Sequence, residues 1–270
     1  MSITVKTFGR LADAAAALSS ERGACYLAGG TLVMRAVNDA DPTIETLVRA
    51  TDPGLLHIAV SSSRIELGAG VTMAAVLAER ELAFLHPVAR AVGSPAIREV
   101  ATVGGNLFSL RGDFATALLA LDATVMLVGG LGQREQPLEE FLARRERSAA
   151  LVSSIVFKRP PADALRFTKV TRVHPRGMSV LSIAAQLPMA SGRIVGARIA
   201  VNGMDRMPLR AKAAERALES RALDAAGIAP ALAVATEGTV PVDDAIASAW
   251  WRREILPVHL GRLLLGGGRS

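Results

Sequence analysis

Cysteine is almost missing. Cys25 is the only one in 270 residues, so the chain can close no internal disulfide and cannot cage an iron–sulfur cluster, which takes four thiolates. Aromatics are also scarce, at 4%, with one tyrosine, Tyr26, and one adjacent tryptophan pair, Trp250 and Trp251. The net charge of +6 comes from arginines that are scattered, not gathered in a basic run interleaved with aromatics, so no nucleic-acid partner is expected. His57, His86, His174 and His259 show no paired ligand spacing, and no metal site is expected. No long apolar run exists either. The strongest, Phe114 to Leu131, is interrupted by Asp122 and ends in glycines, unlike the roughly 20 uninterrupted apolar residues of a membrane helix. The opening, Met1 to Lys6, lacks the layout of an export signal, which places the protein in the cytoplasm. No nucleophile, base and orienting residue form a set, so no catalytic side chain is assigned.

What is present is length enough for one large domain or two moderate ones, and a hydrophobic fraction of 50% in which helix-favouring alanine is prominent. The pattern predicts a mixed α+β chain. Strands are expected at Ile3 to Lys6, Ala24 to Ala28, Leu47 to Arg49, His57 to Val60 and Ile65 to Gly68. Helices are expected at Leu11 to Ser19, Thr31 to Val37, Thr72 to Glu79, Pro87 to Val92, over one or two turns at Ser94 to Ala101, and at Phe114 to Leu121. Thr102 to Asn106 reads as a loop. Strands follow at Thr124 to Val128, near Arg134 and at Leu151 to Phe157, before Pro160-Pro161, a pair that resists helix and central strand alike. A boundary there gives domains of 1–161, with lobes of about 1–55 and 56–161, and 162–270. The second domain is expected to hold strands at Arg166 to Thr171, Leu181 to Leu187 and Ile194 to Val201. Its helices are expected at Ala211 to Glu219 and Asp243 to Leu265, the latter broken near Pro257.

Two glycine pairs stand out, in Leu27-Ala28-Gly29-Gly30-Thr31-Leu32 and in Thr102-Val103-Gly104-Gly105-Asn106. Without Cβ, glycine lets backbone N–H groups approach an anion closely, so two such loops can clamp a diphosphate between them. The helix after Gly30 and the Thr31 hydroxyl would add to the first loop. Taken singly, a glycine pair between a strand and a helix is more often an ordinary tight turn than a ligand site. Neither has the G-x-G-x-x-G spacing of the usual dinucleotide fold, and Gly68-Ala69-Gly70 lacks the third glycine, which argues against a nicotinamide dehydrogenase.

The order of these segments carries more. Tyr26 to Leu32, then Ile97 to Leu107 with its Ala101-Thr102-Val103-Gly104-Gly105-Asn106 core, then Gly112-Asp113 ahead of an Ala-Leu-rich helix ending at Ala123, resembles the FAD-binding medium subunits of the molybdenum hydroxylase family. That family includes the carbon monoxide dehydrogenase and xanthine dehydrogenase type. The resemblance implies a two-lobed FAD-binding fold of the vanillyl-alcohol oxidase type followed by a small α+β domain. Residues matching 28–32 and 102–106 wrap the FAD pyrophosphate. Asp113 holds flavin-chain hydroxyls, and Lys169 lies near the flavin, with Arg172 nearby. It also implies that the molybdenum cofactor sits on a large partner chain, the 2Fe-2S clusters sit on a small one, and electrons leave the FAD for an external acceptor.

Alternatives stay open for several residues. Asp113 also suits a helix N-cap, and Lys169 a solvated strand position. Phe108 is a candidate flavin-stacking ring or a buried core residue. Cys25 reads as a small core residue, and of Trp250 and Trp251 one reads as core and the other as a partner anchor. Met178-Ser179-Val180 resembles a variant seen in part of the family. The stretch Ser109-Leu110-Arg111-Gly112 is shorter than the family's and lacks its proline. A stand-alone FAD oxidoreductase, or a scaffold that has lost its flavin, are the competing functions.

Overall fold

The computed structural model describes residues 3–130, 132–144, 150–173 and 177–266, and His174 lies outside them. The chain opens with β1 (Thr4–Phe8), α1 (Leu11–Ser20), β2 (Ala24–Tyr26), α2 (Val33–Asn38) and β3 (Thr46–Ala50). The three strands pair in parallel in the order β1-β3-β2. Parallel strands need crossover connections, and α1 and α2 supply them. Leu11, Ala14 and Ala15 fall on one face of α1 and are buried, as the helical repeat requires.

Next come β4 (Ile58–Val60), β5 (Arg64–Gly68), α3 (Met73–Ala78), α4 (His86–Ala91), α5 (Pro95–Val100), α6 (Val103–Asn106), α7 (Asp113–Ala120), β6 (Thr124–Gly129), β7 (Gly132–Pro137), α8 (Leu138–Arg144) and β8 (Leu151–Lys158). The strands form an antiparallel sheet in the order β4-β5-β8-β6-β7. The two sheets share one hydrophobic core, which runs from Leu11 and Val48 through Leu67, Val103 and Phe114 to Ile155.

Beyond the prolines lie β9 (Leu165–Thr171), β10 (Ser179–Gln186), β11 (Met189–Ala190), β12 (Arg193–Ile194), β13 (Arg198–Asn202), β14 (Leu209–Arg210), α9 (Lys212–Leu218), α10 (Ala225–Ala233) and α11 (Ala249–Leu264). The main sheet here is antiparallel, β14-β13-β10-β9. Leu181, Ile183 and Ala185 of β10 face a second core with Ile255, Leu256 and Leu260 of α11. The alternate residues face α7, whose eight residues are all buried. That helix thus separates the two cores, and Phe114, Leu118 and Leu119 each contribute roughly 1.5–3 kcal/mol by burial.

The α+β class follows the sequence pattern, with local departures. Thr102 to Asn106, expected as a loop, forms a turn of helix because the Thr102 hydroxyl accepts from Gly105 N–H at 3.0 Å and caps it. The strand expected over Ile194 to Val201 is split, its first part pairing with β11 and its second joining the main sheet. α11 starts at Ala249, capped by the Ser248 hydroxyl, and runs unbroken through Pro257. A proline forfeits one helical hydrogen bond, but the buried stripe of Ile255, Leu256, Leu260, Leu263 and Leu264 holds the helix together across it. α8 and α10 were not anticipated. Leu138, Phe141 and Leu142 are buried on one face of α8, an i, i+3, i+4 signal open to sequence reading, whereas Pro230 inside α10 hides it. Trp250 and Trp251 are both exposed, at 64% and 47%, so neither is core, and their neighbour Arg252 is buried in their stead, at 1%. No helix among the described residues is long and apolar enough to cross a membrane.

Candidate functional site

The first glycine loop leaves the end of edge strand β2. Leu27 N–H still follows the ladder, donating to Val48 O at 2.7 Å. From there the pairing stops. Among the described residues, none of the N–H groups of Ala28, Gly29, Gly30, Thr31 and Leu32 meets an acceptor. Five consecutive unpaired donors at a partly exposed turn are a row of N–H groups available to an anion. Gly30 has φ of +73°, which turns the chain there. A Cβ on Gly29 would sit 1.8 Å from Val100 O and 2.8 Å from Val100 C, so only glycine lets this loop press against the end of α5. Thr102 begins the second glycine segment two residues later. The first loop therefore lies against the chain that leads into the second.

Their roles differ, however. In the second segment Val103 N–H donates to Val71 O at 2.8 Å, Gly104 N–H to Ala69 O at 2.8 Å, Gly105 N–H to the Thr102 hydroxyl and Asn106 N–H to Thr102 O at 3.0 Å. These four donors are taken within the protein, whereas Thr102 N–H meets no acceptor among the described residues, so the second segment offers an anion one backbone donor against five in the first. Gly104 is glycine for another reason: its Cβ would lie 2.7 Å from Ala69 Cβ and 2.9 Å from Ala69 O, so it permits backbone packing in the core. Asn106 Oδ1 accepts from Ala115 N–H at 3.0 Å, capping α7.

That cap displaces one reading of Asp113. Asp113 is the first residue of α7, and its side chain does not cap it. One carboxylate oxygen, Oδ2, pairs with Lys169 Nζ at 2.7 Å. The other, Oδ1, is buried without a well-aligned hydrogen bond, and the buried Ser179 and Ser182 hydroxyls are the donors close enough to this carboxylate to favour its charged form. Asp113 is 4% exposed. Burial pushes its pKa up, opposed by the attraction of Lys169 and by these hydroxyls.

Lys169 is no solvated surface charge. It is on β9, and its Nζ also donates to Ala91 O at 2.8 Å at the carboxy end of α4, where a cation is favoured. Arg172 donates weakly to Ala245 O and Ile246 O, both at 3.4 Å. Phe108 is neither buried nor isolated. It is 44% exposed and packs edge-to-face on Phe141 with ring centroids 5.8 Å apart. Cys25 is half-buried in β2, and burial, then Asp41, pushes its thiol pKa up. A separate cleft of about 360 Å³ is lined by Arg10, Asp52, His57, Glu66 and Ser154 among others and includes none of the loop residues. Among the described residues no three acidic, histidine or cysteine side chains gather as a metal site.

Comparison with known proteins decides the affiliation. Residues 3–158 match the family described as the FAD binding domain in molybdopterin dehydrogenase. The chain belongs to this family. Residues 167–266 match the CO dehydrogenase flavoprotein C-terminal domain. The carbon monoxide dehydrogenase medium chain of Afipia carboxidovorans is 28% identical over 265 residues, 93% of this chain and 92% of that one. The nicotinate dehydrogenase FAD-subunit of Eubacterium barkeri is 29% identical over 234 residues, 80% and 76% of the two chains. The reconstituted CO dehydrogenase from Oligotropha carboxidovorans superposes with a TM-score of 0.89 at 26% identity, covering 98% of this chain and 96% of that one. This molybdopterin dehydrogenase FAD-binding chain thus has the expected two-part α+β fold. Its site fits FAD on the donor row at 28–32.

The sequence reading named both glycine segments, Asp113 and Lys169. Ser179 and Ser182 as neighbours of Asp113, and its pairing with Lys169, are not legible there, because those contacts run from α7 to strands β9 and β10, more than 50 residues on in the chain.

Proposed function

We propose that this chain is the FAD-binding electron-transfer subunit of a molybdenum hydroxylase. It takes electrons from 2Fe-2S clusters on a small partner chain, fed by a molybdenum cofactor on a large one, and passes them to an external acceptor. The observation that carries the reading is the row of five unpaired N–H groups from Ala28 to Leu32. The single cysteine supports the division of labour, since cluster thiolates must come from another chain.

FAD supplies storage of an electron pair and its onward release. The chain supplies binding and electrostatics. Residues 28–32 donate backbone hydrogens to the pyrophosphate. Thr102, Val103, Gly104 and Gly105 form the second segment at the pyrophosphate, following the Val100 and Ala101 backbone against which the first loop is set, and Asn106 fixes the start of α7. Asp113 holds a hydroxyl of the flavin chain, while Lys169 pairs with its Oδ2 at 2.7 Å and favours the charged form against burial. No side chain of this chain needs to act as a general acid or base. The unit boundary is placed at Pro161 and the protein in the cytoplasm.

The test is reconstitution. The purified chain should bind FAD one to one, and its flavin should be reduced only when the cluster-bearing and molybdenum-bearing chains and their substrate are added. Organic substrate turnover by the isolated chain would overturn the subunit assignment, and absence of flavin binding would overturn the site.

A further inference from the structure

The loop between α6 and α7 leads directly into Asp113, and it carries Arg111 two residues before it. That side chain reaches out of its own unit. Its guanidinium donates to Ser179 O at 3.2 Å and pairs with Asp244 Oδ2. Asp244 lies in the segment before α11 and is itself gripped: Arg252 donates to both its oxygens at 2.9 Å. Ile246 N–H and Ala247 N–H donate to Oδ1 at 2.8 and 3.1 Å. Arg252 is tied in turn to Val180 O at 3.2 Å and Ala247 O at 3.0 Å. Asp244 is thus a carboxylate preset by the carboxy-terminal unit, with Arg111 as its second cation. Charge-assisted, geometrically fixed bonds of this kind orient a segment more strongly than neutral ones.

We propose that Asp244 and Arg111 form a positioning pair, by which the carboxy-terminal unit anchors the 107–112 loop and so sets Asp113 for the flavin. Neither residue touches the cofactor in this scheme; they act through the loop. The inference rests on the FAD site proposed above, and it makes cofactor affinity a property of both units.

The experiment uses the full chain with FAD. Arg111→Met removes the charge and keeps the bulk, Arg111→Lys restores a charge, and Asp244→Asn removes the partner. Two readouts are taken: the FAD dissociation constant by fluorescence quenching, and amide hydrogen exchange in the flavin-free protein. Arg111→Met should raise the FAD Kd at least tenfold and speed exchange at Phe108, Ser109 and Arg111 at least tenfold, while amides of β6 and β8 keep their wild-type protection. Arg111→Lys should recover part of both effects. The double variant should be no worse than the poorer single one, as expected for residues acting as one unit.

Wild-type exchange at 108–111 in Arg111→Met, wild-type FAD affinity in that variant, or additive effects in the double would each overturn the proposal. If Asp244→Asn loosens the whole protein, the β6 and β8 amides report it, and Arg111→Met decides alone. Failure of the wild-type chain to bind FAD would instead defeat the functional reading, with the exchange measurement still deciding whether Asp244 anchors the loop.

Discussion

Gly29→Ala removes no side-chain contact and should still release FAD. The added methyl carbon would sit 1.8 Å from Val100 O, whereas real Cβ atoms essentially never approach another heavy atom within 3.0 Å. The obstacle is a backbone carbonyl at the end of α5, so no rotamer change relieves it, and the loop must move by more than an ångström. The loop is the flexible party because its own N–H groups bond nothing within the described chain. Hydrogen bonds to a charged acceptor contribute about 1.5–3 kcal/mol each. Displacing two of the five donors then costs ~3–6 kcal/mol, a loss of roughly 10²–10⁴-fold in FAD affinity. The thermal midpoint of flavin-free protein should barely change, since Gly29 is outside both cores. Absorbance at the flavin band gives stoichiometry, fluorescence titration gives affinity and circular dichroism gives the midpoint, with Gly9→Ala, which meets nothing within 4 Å, as control. Unchanged FAD affinity in Gly29→Ala would refute the reasoning. Gly104→Val is a poorer probe, because its clash with Ala69 strikes the core and would confuse flavin loss with unfolding.

Three further outcomes are expected. Burial works against ionisation of Asp244, but the Arg252 hydrogen bonds, the two backbone N–H groups and the attraction of Arg111 outweigh it, lowering its pKa from 3.8 to about 2. A depressed folded-state pKa gives stability that is present above pH 3.8 and lost as pH falls through about 2. Urea unfolding should therefore show wild type ahead of Asp244→Asn by about 1–2 kcal/mol at neutral pH, allowing for solvent screening, and the gap should close in that acid window; a gap independent of pH would contradict this. Pro257→Ala restores the missing helical N–H and should raise the thermal midpoint by several degrees, about 1–3 kcal/mol; a fall would show that the proline is required by packing. Cys25, with its thiol pKa pushed up, should react with a disulfide reagent near neutral pH more slowly than an unhindered thiol does, and equal rates would show the thiolate to be accessible.

The sequence made the glycine segments legible because their order and neighbours are distinctive, and most elements before Pro160 because their apolar period is regular. What escaped it were facts of long-range pairing. Nothing in Thr102 to Asn106 says that Val71 and Ala69 will take up its donors. Asp113 next to a glycine and ahead of an apolar helix looks like a cap until Asn106 is seen to hold that position. The adjacent Trp250, Trp251 and Arg252 invert the usual burial order, because the arginine finds four carbonyl and carboxylate partners inside and the indoles face outward.

The burial of α7 on every side bears on how such chains can change over time. The proline pair invites the view that two modules were joined and can be exchanged. Yet the helix belongs by sequence to the first and by packing to both: Asp113 reaches Lys169, and its apolar neighbours lie against β10 and β13. A chimera taking 1–161 from one relative and the remainder from another would confront an unfamiliar sheet with a helix shaped for its own. Recombination should therefore succeed only where α7 travels with the strands that cover it, so that the unit of inheritance is set by this helix and not by the proline pair.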